Sequence, residues 1–185
     1  MDEQQLQSYS PRQYAMNYGV VLGVYYMLKF ILFPLAFRSG VAALLFIILT
    51  ICVPVVAHRL TKHCRQYAYG GVMNVGQVWS FLLWLFFFAS LLVAAEHYVY
   101  FAYIDHGRLA ESYATALATY DQLMSSMGMV PDAETSDMLH QSCDMLAAMR
   151  PIEMVMNMFV NNLFWGCILT LPLTVINAKA PKPNE

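Results

Sequence analysis

The sequence predicts an all-α protein, a four-helix transmembrane bundle that carries an extracytoplasmic helical hairpin between its third and fourth spans. Three observations predict this. The chain of 185 residues is 59% apolar and only 12% charged, whereas about a quarter of the residues in soluble proteins are charged. A soluble core of this size has no room for so much apolar surface; a bilayer accepts it. Four apolar stretches, residues 14–37, 41–57, 78–103 and 154–176, approach or exceed the ~20 residues a helix needs to cross ~30 Å of hydrocarbon. Between the third and the fourth, residues 104–152 regain charge and place apolar residues at steps of three and four, the mark of amphipathic helices. Residues 1–185 read as one membrane domain.

The first span opens on a helix-start signal. Ser10 suits the cap, Pro11 the first helical position, and Gln13 completes a capping box. A signal peptide is the rival reading of 14–37. It lacks a basic run at its start, its apolar stretch is too long, and no small-x-small site follows near Phe37-Arg38. Arg38-Ser39-Gly40 makes a tight turn into the second span, where Pro54 predicts a kink near the end. The third span contains the run Phe81-Leu82-Leu83-Trp84-Leu85-Phe86-Phe87-Phe88, the strongest of the four. In the insert, Leu109, Tyr113, Leu117, Tyr120, Met124 and Met127 share one helical face. Gly128 and Pro131 break that helix, and Met138, Ser142, Met145 and Met149 line one side of the next. Charges are too frequent there for a fifth span. Tyr98, Tyr100, Tyr103 and Trp79 sit near span ends, as an aromatic belt does.

Basic residues set the orientation. With the amino terminus in the cytoplasm, the inside segments hold Arg12, Arg59, Lys62, Arg65, Lys179 and Lys182, and the outside segments hold Arg38, Arg108 and Arg150. That imbalance predicts both termini in the cytoplasm and the hairpin outside.

Polar groups within spans are the first candidates for function. A Lys at mid-bilayer costs ~2.5–3.5 kcal/mol on the insertion scale, which calls for a partner or a task. Lys29 lies past the middle of the first span and Glu96 past the middle of the third, while Asn157 and Asn161 are one turn apart in the fourth. All four fall at comparable depth, and they are expected to form an intramembrane polar cluster with Lys29 and Glu96 as an ion pair. A second reading stays open: Lys29 snorkels outward along its stem, and Glu96 sits at the interface beside His97 and Tyr98. Ala15, Gly19 and Gly23 form a stripe of small residues that lets helix backbones approach. Its expected use is packing inside the chain, with an oligomer interface as the second reading.

The cytoplasmic basic loop that follows the second span carries Arg59, Lys62 and Arg65. Anionic membrane lipids are its expected partner, and a docking protein comes second. His58, His63 and Cys64 lack a fourth ligand at a recognised spacing, so no metal site is expected. Nine methionines between Met124 and Met158 spread over both helical faces and do not recur as MxxM groups, which favours adaptable packing over copper binding. Cys52, Cys64, Cys143 and Cys167 show no paired spacing and read as buried or free thiols. The chain has no GxSxG elbow, HExxH pair, Walker loop or strand-borne GxGxxG. The expectation is a chain that is not an enzyme, with no catalytic residue and no cofactor. A net charge of −2 gives no electrostatic case for nucleic acid.

Three segments carry a family resemblance: the opening Asn17-Tyr18-Gly19, the stretch Tyr98-Val99-Tyr100-Phe101-Ala102-Tyr103-Ile104-Asp105, and Phe164-Trp165-Gly166-Cys167-Ile168-Leu169-Thr170-Leu171-Pro172-Leu173 before a short basic tail. With these the chain resembles, over nearly its whole length, the domain of unknown function 4199 family of small four-span bacterial inner-membrane proteins. It departs in Pro172, late in the last span, and in its Met-rich insert. The resemblance implies a bacterial inner (cytoplasmic) membrane location, no established activity and no assigned catalytic residue. Members are often encoded near a polyprenyl-phosphate glycosyltransferase, which implies such an enzyme as a partner. The leading expectation is therefore a non-catalytic accessory or anchoring subunit for a membrane-associated partner. A small transporter or channel built on Lys29, Glu96, Asn157 and Asn161 is the alternative, although the chain shows no inverted repeat. A lipid-modifying enzyme using Glu96 and His97 is the third reading.

Overall fold

The computed structural model describes residues 11–129 and 133–179, which form six α-helices. The predicted cap Ser10, the breaker Pro131 and the tail Lys182 lie outside the described residues. Helix α1 (Pro11–Ala36) starts at the proline. It closes where the N–H groups of Arg38 and Ser39 donate to the Leu35 carbonyl at 3.0 Å, and Ser39 in extended backbone (φ −142°) leads into α2 (Gly40–Ala68).

Helix α2 corrects the expectation of a span that stops at residue 57 before a basic loop. It runs unbroken to Ala68, past Pro54. Val53, Ala57, Thr61 and Cys64 continue one buried stripe at helical spacing, and no breaker appears before Gly70 and Gly71. Those two adopt φ of +57° and +88°, a left-handed backbone that glycine enters at no steric cost. The Gly71 N–H then donates to the Arg65 carbonyl at 2.9 Å and closes the helix. At 1.5 Å per residue, the 29 residues of α2 extend about 43 Å. That exceeds the ~30 Å of bilayer hydrocarbon, so Arg59, Lys62 and Arg65 ride on the overhanging last turns.

Helix α3 (Val75–Tyr103) begins with a capping box that the sequence reading passed over. The Gln77 N–H donates to Asn74 Oδ1 at 2.9 Å, and the Asn74 N–H donates to Gln77 Oε1 at 3.0 Å. This helix is the centre of the bundle: Val78, Phe81, Leu82, Leu85, Phe86, Ala89 and Val93 are essentially inaccessible. Helices α1 and α6 (Pro151–Asn177) pack along it most extensively, and α2 packs on α1. Glu153 holds the start of α6 by accepting from the Arg150 N–H at 2.8 Å and from its guanidinium at 2.7 Å. Past its far end, the Lys179 N–H donates to the Met73 carbonyl at 2.9 Å. The α2–α3 connection and the chain after α6 therefore share one end of the bundle, the basic end.

The opposite end carries a hairpin of α4 (Arg108–Ser126) and α5 (Ala133–Ala148). The Asp105 carboxylate, itself buried, starts α4 by accepting from the N–H groups of Gly107 and Leu109, each at 3.1 Å. The Phe37 and Tyr113 rings, 4.9 Å between centroids, join the α1–α2 turn to the hairpin. His140 Nε2 lies 3.3 Å from Asp121 Oδ2 and ties α5 to α4. Of the residues expected along one side of α5, Met138, Ser142 and Met145 are exposed, while Met149 just past its end is half-buried, as are Ser136, Cys143 and Leu146. All four cysteines are free thiols.

Four of the helices, α1, α2, α3 and α6, are long and apolar enough to cross a membrane. The most apolar window of α2 has a mean hydropathy of 2.8, yet only 17% of it is buried. A soluble helix that apolar is buried all round. Outward-facing Val41 and Ile51, each about two-thirds exposed, suit lipid instead.

Candidate functional site

Helical spacing brings four faces together around a cavity of about 500 Å³. Positions 26, 29, 30 and 33 of α1 share one face, as do 46, 50 and 53 of α2 and 93 and 97 of α3. Helix α6 supplies 158, 161, 162, 165, 166 and 169, at steps of three and one. Close packing elsewhere leaves the space open. A Cβ built on Gly166 would lie 2.8 Å from Phe86 Cβ and Cγ, so α6 is drawn tight against α3. The Tyr25 hydroxyl donates to the Leu49 carbonyl at 2.6 Å and holds α2 on α1. Among the described residues, the one hydrogen bond between α2 and α6 is at the basic end, from Arg65 Nη1 to the Asn177 carbonyl at 2.6 Å. The two helices flank a mouth towards the hairpin end, marked by the exposed lining residues Thr50, Asn161 and Trp165.

The walls are mainly aromatic and aliphatic, with five polar side chains among them: Lys29, Thr50, His97, Asn161 and Asn162. Lys29 Nζ lies 5.0 Å from the centroid of the Tyr26 ring and 5.6 Å from that of Phe46, within cation–π range of both. His97 packs its ring 4.0 Å from that of Phe30, and its Nδ1 is buried without a hydrogen-bond partner.

The expected polar cluster is divided by this geometry. Lys29 and Asn161 share the cavity. Glu96 lies in a separate cleft between α1 and α3, beside Met27, Ile31 and Val99. Among the described residues there is no ion pair between Lys29 and Glu96, and Glu96 Oε2 is buried without a partner. Neighbouring residues on a helix point about 100° apart, so when His97 turns to the cavity Glu96 turns away. For the same reason Glu96 and His97 do not meet as an acid–base pair. Asn157 reaches toward the hairpin instead, its Nδ2 3.7 Å from Met149 Sδ.

The small-residue stripe packs inside the chain. Ala15 is fully buried, and Cβ atoms added to Gly19 and Gly23 would stand 2.7 Å from Phe88 Cβ and from Leu92 Cδ2, both on α3. At the basic end, Arg59 and Lys62 are exposed, whereas Arg65 is held on Asn177. His63 is hydrogen-bonded to the Tyr18 hydroxyl at 2.7 Å, and Cys64 is buried. No three His, Cys, Asp or Glu side chains converge among the described residues. Just beyond α2, burial pushes the Tyr69 phenol up to about 12, with Cys64 and Tyr14 adding to the effect.

The sequence reading missed His97 as a cavity residue, together with Gly166 and the aromatic wall of Tyr26, Phe46 and Trp165. The signal was present in the steps 26/29/30/33 and 158/161/162/165/166/169, which mark single helix faces.

No curated protein and no solved structure matches this chain. A family model does match it, over residues 17–179, from the segment that contains Gly19 and Gly23 to the end of α6. The chain therefore belongs to the family described as protein of unknown function, DUF4199.

Proposed function

We propose that this chain is a membrane-embedded accessory subunit that holds a partner protein through its α4–α5 hairpin. The observation that carries this reading is the state of the hairpin. Among the described residues, helix α5 contributes no buried residue and α4 only Leu109. Leu123, Met127, Met138 and Met145 are each more than half exposed. Isolated helices of this length are marginal in water, and most helical stability comes from packing an apolar face. A hairpin that buries so little of its own apolar surface is completed by something that covers it. Methionine side chains suit such a surface because they adapt to the shape laid on them.

The first partner to test is a polyprenyl-phosphate glycosyltransferase, the enzyme class the family resemblance implies. In this reading the chain sits in a bacterial inner membrane with both termini cytoplasmic, the exposed Arg59 and Lys62 facing anionic headgroups and the hairpin outside. Purification of the native protein in mild detergent is expected to carry the transferase along. Met138→Glu with Met145→Glu is expected to release it while the bundle stays folded. A chain that elutes alone, with lipid-linked sugars unchanged on its deletion, refutes the reading. The alternative, a small transporter or channel, draws on the cavity around Lys29. Solute flux through proteoliposomes that falls with Lys29→Met would favour it.

A further inference from the structure

The cavity has a chemistry of its own that an accessory role does not use. Its lining holds a cation, Lys29, and no carboxylate. Lys29 makes no ion pair among the described residues. Its ammonium is turned into the bundle, over Tyr26 one turn back along α1 and over Phe46 of α2. Asn161 and Asn162 add amide donors to the same space. The remaining walls are apolar, and the mouth between α2 and α6 opens on the side of the bundle, next to exposed Trp165. A positive site inside apolar walls with a lateral opening complements a molecule with an anionic head and an apolar tail.

Depth agrees with this. Lys29 stands seven residues before Ala36, about 10 Å from that end of α1. The 26 residues of α1 extend about 39 Å, against ~30 Å of hydrocarbon, which places the Lys29 backbone about 5–6 Å inside the apolar layer. A lipid head lowered slightly from the hairpin-side interface would meet the ammonium. The volume of about 500 Å³ also falls in the ~300–1,000 Å³ range of ligand pockets.

We propose that this cavity binds one membrane lipid through a net-anionic phosphate head, with Lys29 as its counter-ion, Asn161 and Asn162 as further donors, and the lipid chain leaving between α2 and α6. Native mass spectrometry of the full chain in detergent, with phosphatidylglycerol or phosphatidylcholine added, tests it. Wild type is expected to retain one phosphatidylglycerol in clear preference to phosphatidylcholine. Lys29→Met is expected to lower that retention about tenfold, the weight of one charge-assisted hydrogen bond, and Lys29→Arg to preserve it. Thr50→Trp narrows the mouth from an exposed position with Lys29 intact, and it is expected to lose the lipid while far-UV dichroism stays that of wild type. Equal retention of the two lipids overturns the proposal. So does full phosphatidylglycerol binding by either Lys29→Met or Thr50→Trp. Displacement of the lipid by millimolar inorganic phosphate would show a site for the free anion and would equally overturn it.

Discussion

Where α1 crosses α3, replacing Gly19 by alanine sets two opposing effects against each other. The added methyl would sit 2.7 Å from Phe88 Cβ and 3.4 Å from the Leu85 carbonyl oxygen. Carbon atoms in ordinary contact are ~3.5–4.0 Å apart, so the overlap is about 1 Å. Phe88 Cβ is fixed to the α3 backbone and cannot rotate aside; the helices must separate. Overpacking of this kind costs ~1–3 kcal/mol, and alanine's helix preference over glycine returns ~1 kcal/mol. The expected net loss for Gly19→Ala is therefore ~0–2 kcal/mol. Gly166→Ala should behave alike, because its methyl would meet Phe86 Cβ and Cγ at 2.8 Å. Gly23→Ala should differ. Its nearest neighbour is Leu92 Cδ2 at 2.7 Å, a terminal methyl that rotates away and leaves Leu92 Cβ at 3.1 Å to give by a few tenths. Its net change is expected within ~0.5 kcal/mol of zero. Unfolding of the detergent-solubilised protein by sodium dodecyl sulfate, followed by far-UV circular dichroism, ranks the three. A Gly23→Ala loss larger than that of Gly19→Ala would refute the argument.

Asp105→Ala removes the acceptor for the Gly107 and Leu109 N–H groups; the expected loss is ~1–2 kcal/mol, read as faster amide exchange through α4 with α3 unchanged. Arg65→Met breaks the bond to the Asn177 carbonyl that joins α2 to α6, and a loss of ~1.5–3 kcal/mol in detergent unfolding is expected. The Tyr69 phenol, raised from 10.0 to about 12 by burial, keeps its proton in the folded chain where the unfolded chain has lost it. Stability is therefore complete below pH 10 and falls as pH climbs towards 12. Tyr69→Phe should flatten that fall without cost at neutral pH, since the hydroxyl is buried and has no hydrogen-bond partner; an unchanged alkaline slope would count against it. Lys29→Met and Glu96→Gln should act independently because the two side chains line different clefts. Their stability losses are expected to add within ~0.5 kcal/mol, and a coupling well beyond that would restore the ion pair.

The spans were legible because hydropathy is summed over many residues and a bilayer tolerates few exceptions. Their ends were less so. The second span was cut at residue 57 because charge begins there, yet helix propagation depends on the backbone, and nothing stops it until Gly70 and Gly71 turn left-handed. Charge at Arg59, Lys62 and Arg65 marks where α2 leaves an apolar layer and says nothing about where the helix ends. The Asn74–Gln77 box was readable as a cap with an acceptor three residues on, and it stood just outside the window that hydropathy drew.

Depth and rotation are separate coordinates of a helical residue, and only the first is read from position along a span. Lys29, Glu96 and Asn161 were placed at one level by counting residues, but levels do not decide neighbours. Rotation is set by which side of each helix buries the most apolar area. On α3 that side is Val93, His97 and Phe101, which leaves Glu96 a turn-fraction away in the α1 cleft. The same reasoning corrects α5. Met138 and Met145 look like a core stripe when taken alone, but they are exposed, while Cys143 and Leu146 are half-buried and His140 lies beside Asp121 of the neighbouring helix. Small residues were the exception: Gly19 and Gly23 identify the α1 face toward α3 without any partner being known, because only that face admits a backbone so close. Applied to α6, the same rule would have picked Gly166, and with it the face that carries Asn162 and Leu169 into the cavity.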